Sequence, residues 1–572
     1  MQRAIYLNRV SAYVWLIAAL TFGRGSVAAA QAAEEAGPVG LAAWDLVLVN
    51  SERVDALRLR QLFDGVSASP SLLLRSASSL TARSTIGPRG LTLTPIAPQL
   101  LVVSNSELPF SQNDGALWAG KGVSTRVLFG AKLEGRRFRL VAAPEILSMQ
   151  NRDWPLRRYP YNQEFNTPTV PPEFSGGGYV FPFYYATFPI DQPMRFGDRP
   201  LRKMVPGQSS ALVSVGGVDV GVSTEHEWWG PGIRNAIVLS NNAPEFPHLI
   251  VRTARPLRTR FGAIEARWLV GGLKESEYFD TTSANDVRSL ASLSATLETA
   301  WDPNLSFGVA RSVYASARGW NQIPFRWLDV FARTRGGGTG SDGDGNADST
   351  YGTGGRDQLF SLFTRWVFPA SGFEFYGEFA RKELRPSLRE IIVAPNHSQA
   401  YTLGFQWARA AWRSGIIRLQ GELTQMEANA TLADPPTGSW YTSRRVIQGY
   451  TNRGEVLGAA IGPGASSQWL AVDYMARSWR LGAFAGRIRW NEDVHNATPW
   501  PVHVEYCNHD VTVYPGARAA AWGRFGTITV DHAWQNRLNV FFQNDGGCPN
   551  VGQRLDIRNN TLSITFAPFS RR

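Results

Sequence analysis

The sequence predicts an all-β fold, a transmembrane antiparallel β-barrel of about 18 strands with a small helical part at its N-terminus lying in the periplasm. Three observations lead there. An export signal opens the chain, and apolar–polar alternation dominates everything after about Gly120. Twenty of the 572 residues are Trp, a ring that concentrates where apolar material meets water. At 18% charged and 12% aromatic residues the chain is not disordered. Its 2 cysteines exclude a disulfide-stapled scaffold and a zinc-ribbon array.

The signal comes first. Arg3 and Arg9 precede an apolar run over residues 10–22, and Ala30-x-Ala32 supplies a cleavage site, so 1–32 reads as a signal peptide. The run is shorter than the ~20 residues of a spanning helix, and the mature chain is expected to start near Ala33.

Residues 33–105 are expected to form the N-terminal periplasmic helical region. Over 50–65, Ser51 is a plausible N-cap, Leu57, Leu59 and Leu62 are apolar positions, and Gly65 is a stop. A second helix is expected over 69–80.

The barrel is expected over 106–572. In residues 262–270, Ile264, Trp268 and Val270 share one face, and Glu265 and Arg267 the other. In 373–379, Phe373, Phe375 and Phe379 oppose Glu374, Tyr376 and Glu378. In 484–490, Phe484, Ile488 and Trp490 oppose Arg487 and Arg489. A soluble sandwich shows the same period. Export, aromatics near segment ends, and short turns alternating with long polar loops favour a membrane barrel. The Gly/Asp-rich stretch 335–356 reads as a solvated loop rather than a calcium loop, since Ala347 and Thr353 stand at its glycine and glutamate positions.

Enzyme signatures begin and fail. His226-Glu227 opens a zinc-protease pattern, but Gly230 stands where the second histidine belongs. Gly115, Gly120 and Lys121 mimic a phosphate loop, but Gly122 replaces the magnesium-binding hydroxyl. Without a spaced ligand cluster, no metal, no cofactor and no enzymatic activity are expected. Glu374 and Glu378 read as acids lining a lumen.

One block is more specific than periodicity. Residues 225–249 read EHEWWGPGIRNAIVLSNNAPEFPHL, followed over 268–276 by WLVGGLKES. A WWGPG turn, an LSNNA-x-x-FP segment and a G-x-L-x-ES element resemble the capsule assembly Wzi family of outer-membrane proteins. The Gly- and Trp-rich stretch 113–122 and the leucine-bearing segment 54–62 are similar in position to that family's approach to the barrel and its helical part. The resemblance implies an eighteen-stranded outer-membrane barrel with a helical bundle at its periplasmic end. It also implies a non-catalytic lectin role, holding capsular or other extracellular polysaccharide at the cell surface. The phenylalanine of the last strand, Phe566, is followed by Ala-Pro-Phe569-Ser-Arg-Arg, a departure from barrels that end on an aromatic.

Trp228 and Trp229 are candidates to stack on sugar faces, and Asn235, Asn241 and Asn242 offer paired amide donors and acceptors. The alternative is that Gly230-Pro231-Gly232 fixes a turn and these side chains pack and cap a folded-in loop. Net charge is +11, with only 5 lysines among 58 basic residues, and arginine suits carboxylate recognition. The expected partners are therefore an acidic polysaccharide, outer-membrane lipid and other polysaccharide export components, with no nucleic acid. Arg487 and Arg489 are the strand candidates, placed in the lumen with Ile488 and Trp490 towards lipid. Cys507 and Cys548 are expected to reach the same extracellular rim and form a disulfide. The competing functions are a general porin and a secreted carbohydrate-active enzyme.

Overall fold

The computed structural model describes residues 46–66, 72–84, 90–154, 190–279, 283–332, 355–382, Ile392, 398–428, 439–443, 445–493, 509–542 and 556–568. The proposed signal peptide, the 335–356 loop (apart from its last two residues), Cys507 and Cys548 fall outside them.

Among the described residues, eighteen antiparallel strands close into a barrel. The first six are β1 (Leu91–Asn105), β2 (Gly122–Gly135), β3 (Phe138–Ala142, then Glu145–Met149), β4 (Leu201–Val205, then Ser210–Val215), β5 (Val218–Ser223) and β6 (His248–Thr253, then Leu257–Thr259). Next come β7 (Gly262–Lys274), β8 (Val287–Thr299), β9 (Leu305–Ser316), β10 (Arg356–Phe368), β11 (Phe373–Arg381) and β12 (Gln399–Ala410). The last are β13 (Ile416–Gln425), β14 (Ser466–Met475), β15 (Trp479–Trp490), β16 (Asp510–Gly523), β17 (Gly526–Leu538) and β18 (Ile557–Ala567). Closure joins the ends of the chain, with Leu100 of β1 opposite Phe566 of β18.

The wall therefore begins at Leu91, within the stretch the sequence assigns to the periplasmic region. Pro95 and Pro98 mask the strand, and the register shifts between Ile96 and Gln99, a bulge that accommodates the missing N–H donor.

Turns of a few residues lie at one end and long segments at the other, which assigns the short-turn end to the periplasm. Exposed Phe261, Trp301, Trp412, Trp479 and Phe525 ring that end, as the aromatic girdle of a membrane barrel does. Exposed Leu362, Phe375, Leu403, Leu470 and Leu481 make the outward face apolar.

Inside, the barrel is filled. The helix α1 (Glu52–Asp64) lies in the periplasmic mouth. Its Leu59 and Leu62, with Val66, pack on Val367, Ala408, Ile416 and Met475 at the strand ends. Of the helix expected over 69–80, the described residues 72–80 are mostly not helical. Leu74–Arg75 is a short strand, and only Ala77–Leu80 (α2) is helical, as a single turn closed by a capping box between Ser76 and Ser79.

Candidate functional site

The periplasmic half of the lumen is held by buried ions. Glu374 on β11 accepts from Arg58 of α1 and, at 2.8 Å, from Arg365 of β10. Arg418 on β13 bridges Asp55 of α1 at 2.8 Å and Asp473 of β14 at 2.8 Å. Arg480 binds Glu52 at 2.6 Å, and Arg518 binds Asp473 at 2.6 Å. The helix is thus tied to the wall at several points around its axis. A cavity of about 370 Å³ remains beside it, lined by Arg234, Trp469, Tyr514 and Asp531 among others.

Across the middle runs the segment between β5 and β6, which carries the WWGPG and LSNNA motifs. Trp228–Trp229 pairs antiparallel with Leu74–Arg75. Arg75 donates to the carbonyls of Gly230 at 3.3 Å and Gly232 at 2.9 Å, its guanidinium 4.7 Å from the Trp228 ring centre. Gly230 has φ +120°, a backbone that favours glycine and lets the chain reverse here. Glu422 of β13 then accepts from the backbone N–H groups of Ile233 at 2.6 Å and Asn235 at 2.8 Å. Asn241 donates to the Asn113 carbonyl at 2.7 Å, and Asn242 to the Val456 carbonyl at 2.9 Å.

These contacts decide what the motif does in this structure. Trp228 and Trp229 are 0% exposed, so neither ring presents a face on which a sugar could stack. Asn235, Asn241 and Asn242 are buried; Asn241 and Asn242 stitch this segment to the 106–121 and 439–465 segments, and Asn235 ties it to Ser467 of β14. The His226-Glu227 pair is likewise internal. His226 contacts Gln208 and the Ala243 carbonyl, and burial keeps its imidazole neutral down to about 4. Glu227 accepts from Arg267 and from the Trp229 indole.

Arg487 and Arg489 do not face the lumen. Arg480 on the same strand reaches α1, so the even-numbered positions of β15 point inward and the arginines point outward. Ile488 is fully buried. The phase is reversed because this part of the lumen is packed with folded-in chain rather than water. At the outer rim Arg489 pairs with Glu427, and Arg487 donates to Gln468 at 3.1 Å.

A second cavity opens on the long-loop side, about 160 Å³, at the ends of β15, β16 and β17. Trp118, Trp154, Trp490 and Phe541 line it, with Gln535 and Arg537. Arg537 forms a two-point pair with Asp510 at 2.8 and 2.6 Å, and its guanidinium lies 5.2 Å from the Trp490 ring centre and 4.9 Å from that of Phe541. Thr512 accepts from the Trp490 indole at 2.8 Å. The indole N–H groups of Trp118 and Trp154 are buried and have no partner among the described residues. Buried donors are ordinarily satisfied, so two orphans beside one cavity mark a place where an acceptor is missing. Sequence reasoning overlooked Trp154, Arg537 and Phe541 and turned Trp490 towards lipid; the Trp118 stretch was noticed only as part of a motif.

A closed wall, a periplasmic aromatic girdle and a lumen filled by its own chain define an outer-membrane β-barrel of the plugged kind. The family model described as capsule assembly protein Wzi matches residues 207–477, the stretch that carries both motifs. Among solved structures the chain is similar to Wzi of Escherichia coli, described as an outer-membrane protein involved in group 1 capsule assembly and a carbohydrate-binding β-barrel. Identity is 12% and the TM-score 0.50, over 95% of this chain and 98% of that one. Acinetobacter baumannii OccAB2 aligns at 8% identity over 83% of this chain and 98% of its own, with a TM-score of 0.38. Pseudomonas aeruginosa OccK11 aligns at 7% identity over 84% and 96%, with a TM-score of 0.35. No curated protein matches.

Proposed function

We propose that this chain is a non-catalytic lectin of the outer membrane that binds capsular or extracellular polysaccharide and helps assemble or retain it at the cell surface. The observation that carries the reading is the outer cavity. Tryptophan rings, amides and two unpaired indole donors suit a sugar, which offers apolar ring faces and hydroxyl acceptors together. The match to the capsule assembly Wzi family model points the same way. A porin needs an open lumen, whereas here α1 and the segments 224–247 and 439–465 occupy it. A glycosidase needs two carboxyl groups flanking the bond, and Glu455 is the one carboxylate among the described lining residues.

The acidic character of the glycan is part of the proposal. It rests on the net charge of +11 and on Arg537 at the cavity wall. Export components of the same polysaccharide are natural partners, with the head (residues 46–84) facing the periplasm.

The test is binding of the detergent-purified barrel to a panel of acidic and neutral capsular polysaccharides, read by tryptophan fluorescence. Saturable quenching by acidic members, lost in Trp154→Ala, is expected. Large stable single-channel currents in a bilayer, without saturable glycan binding, would establish the porin reading instead.

A further inference from the structure

The described residues that follow β9, 317–332, do not fold over the lumen. Trp320–Phe325 and Trp327–Phe331 are two short 3₁₀ turns laid against the outside of the wall. The side of the wall is settled by Arg267, which reaches Glu227 in the lumen, so that Trp268 and Val270 point outward. Trp268 donates its indole N–H to the Trp327 carbonyl at 3.2 Å, and its ring meets Trp327 edge-on at 5.4 Å and Phe331 at 5.8 Å. Ile323 and Val330 pack on Val270 and Ala291.

This layer covers a polar patch that would otherwise face the membrane. Arg311 shares the outward face of β9 with Phe307 and Val309. Its guanidinium donates to the carbonyl of Ala332, where the second turn ends, at 2.7 Å, and to Gln358 of β10 at 2.7 Å. Asp329 pairs with Arg326 at 3.2 Å. Arg318 and Asn321 are exposed at its start, beside Trp320, and the rest of what it presents outward is apolar. Trp320 is 45% exposed, Phe325 86%, Leu328 69% and Phe331 59%.

Height along the wall fixes what meets that face. Trp366, 41% exposed near the periplasmic end of β10, pairs with Leu305 at the foot of β9. With ~3.4 Å rise per residue and a ~40° tilt, Arg311 to Ser316 stand roughly 15 to 30 Å above it. The apolar band of such barrels is ~25 Å tall, so the segment sits beside its upper part. Below it, exposed Phe307, Val309 and Leu362 continue the same surface.

We propose that residues 317–332 form a hydrophobic fin that inserts Phe325, Leu328 and Phe331 among the acyl chains of outer-leaflet lipid, with Trp320 nearer the headgroups. The fin widens the lipid contact of the barrel on one side only, over β7–β9. Continuity with the lipid-facing wall favours acyl chains over a second copy of the chain. Four side chains fall far short of the ~800 Å² per partner of a stable protein pair.

The experiment places p-benzoylphenylalanine at Phe325 or, separately, at Leu328 in the full-length protein, reconstituted into vesicles of lipopolysaccharide and phospholipid. Both positions are exposed, so folding is not at stake. Irradiation is expected to give lipid adducts as abundant as those from the same probe at Phe307 on the wall, and severalfold above those from Phe484 in the lumen. Crosslinks between two protein chains in place of lipid adducts would overturn the proposal in favour of a dimer contact. Adduct levels no higher than at Phe484, with Phe307 labelled normally, would overturn it in favour of a solvent-facing segment.

Discussion

The two halves of the lumen are built from different chemistry. Towards the periplasm, Glu374 and Asp473, each 0–1% exposed, sit among arginines from both the wall and neighbouring strands or α1. Towards the outside, the cavity is walled by tryptophans whose indole donors are partly unspent. The difference teaches how each half is used. Buried charges are tolerable only when their partners are held in place, which suits a plug that stays put. An unpaired neutral donor costs only about 1–3 kcal/mol, a cost that an arriving ligand can relieve.

The sharpest way to break this contrast is Glu374→Ala. It leaves Arg58 and Arg365 buried without their carboxylate, and removing one partner of a buried pair costs about 3–5 kcal/mol. The denaturation midpoint in detergent should fall accordingly; a shift under about 1 kcal/mol would mean that water already shares this network.

Trp229→Ala should cost about 3–5 kcal/mol by leaving a cavity, measured the same way, with saccharide affinity following stability. Full stability with lost binding would return the WWGPG tryptophans to the ligand. Trp490→Ala tests the other half. Its fold should survive, and glycan affinity should drop about tenfold, equivalent to ~1.4 kcal/mol. An unchanged titration curve would move the site elsewhere.

The fourth effect is on pH. Burial pushes the Glu455 carboxyl, at the outer cavity, up to about 8. A raised value means that the folded state favours the protonated form. Its contribution is therefore complete below 4.5 and is lost as the pH climbs through about 8. Affinity for an acidic glycan should decline a fewfold between pH 6 and pH 9, and Glu455→Gln should flatten that profile. The smallest effect is expected from Arg487→Gln combined with Arg489→Gln, within about twofold in glycan affinity, because both side chains point away from the lumen. A large loss of binding in that double variant would bring the rim back into the site.

The same contrast explains how far the sequence could be read. Alternation on β11 gives the correct faces, Phe375 and Phe379 to lipid and Glu374 and Glu378 inward, because its inner partners are polar, arginines for Glu374 and the Ile237 N–H for Glu378. On β15 the identical pattern misleads. The inner partners of Ile488 and Trp490 are apolar chain and a tryptophan-lined cavity, while the arginines belong to the outer rim. Helix α1 was legible from its cap, leucine spacing and terminal glycine, whereas β1 was hidden by two prolines. The WWGPG and SNN motifs carried the family resemblance, but their role depends on partners such as Glu422 and Val456, roughly 200 residues away, which local pattern cannot supply.

That separation also governs how the molecule is made. Arg58 and its partner Glu374 lie 316 residues apart, and Asn242 and Val456 lie 214 apart. Closing such loops is slow because the chain entropy is lost before any contact forms. Helix α1 emerges early yet has no place to dock until β10 to β15 exist. During that interval Leu59, Leu62 and Val66 are bare, which makes the incomplete chain prone to aggregation. The leucine face of α1 therefore stays uncovered until the strands from β10 to β15 that receive it are in place.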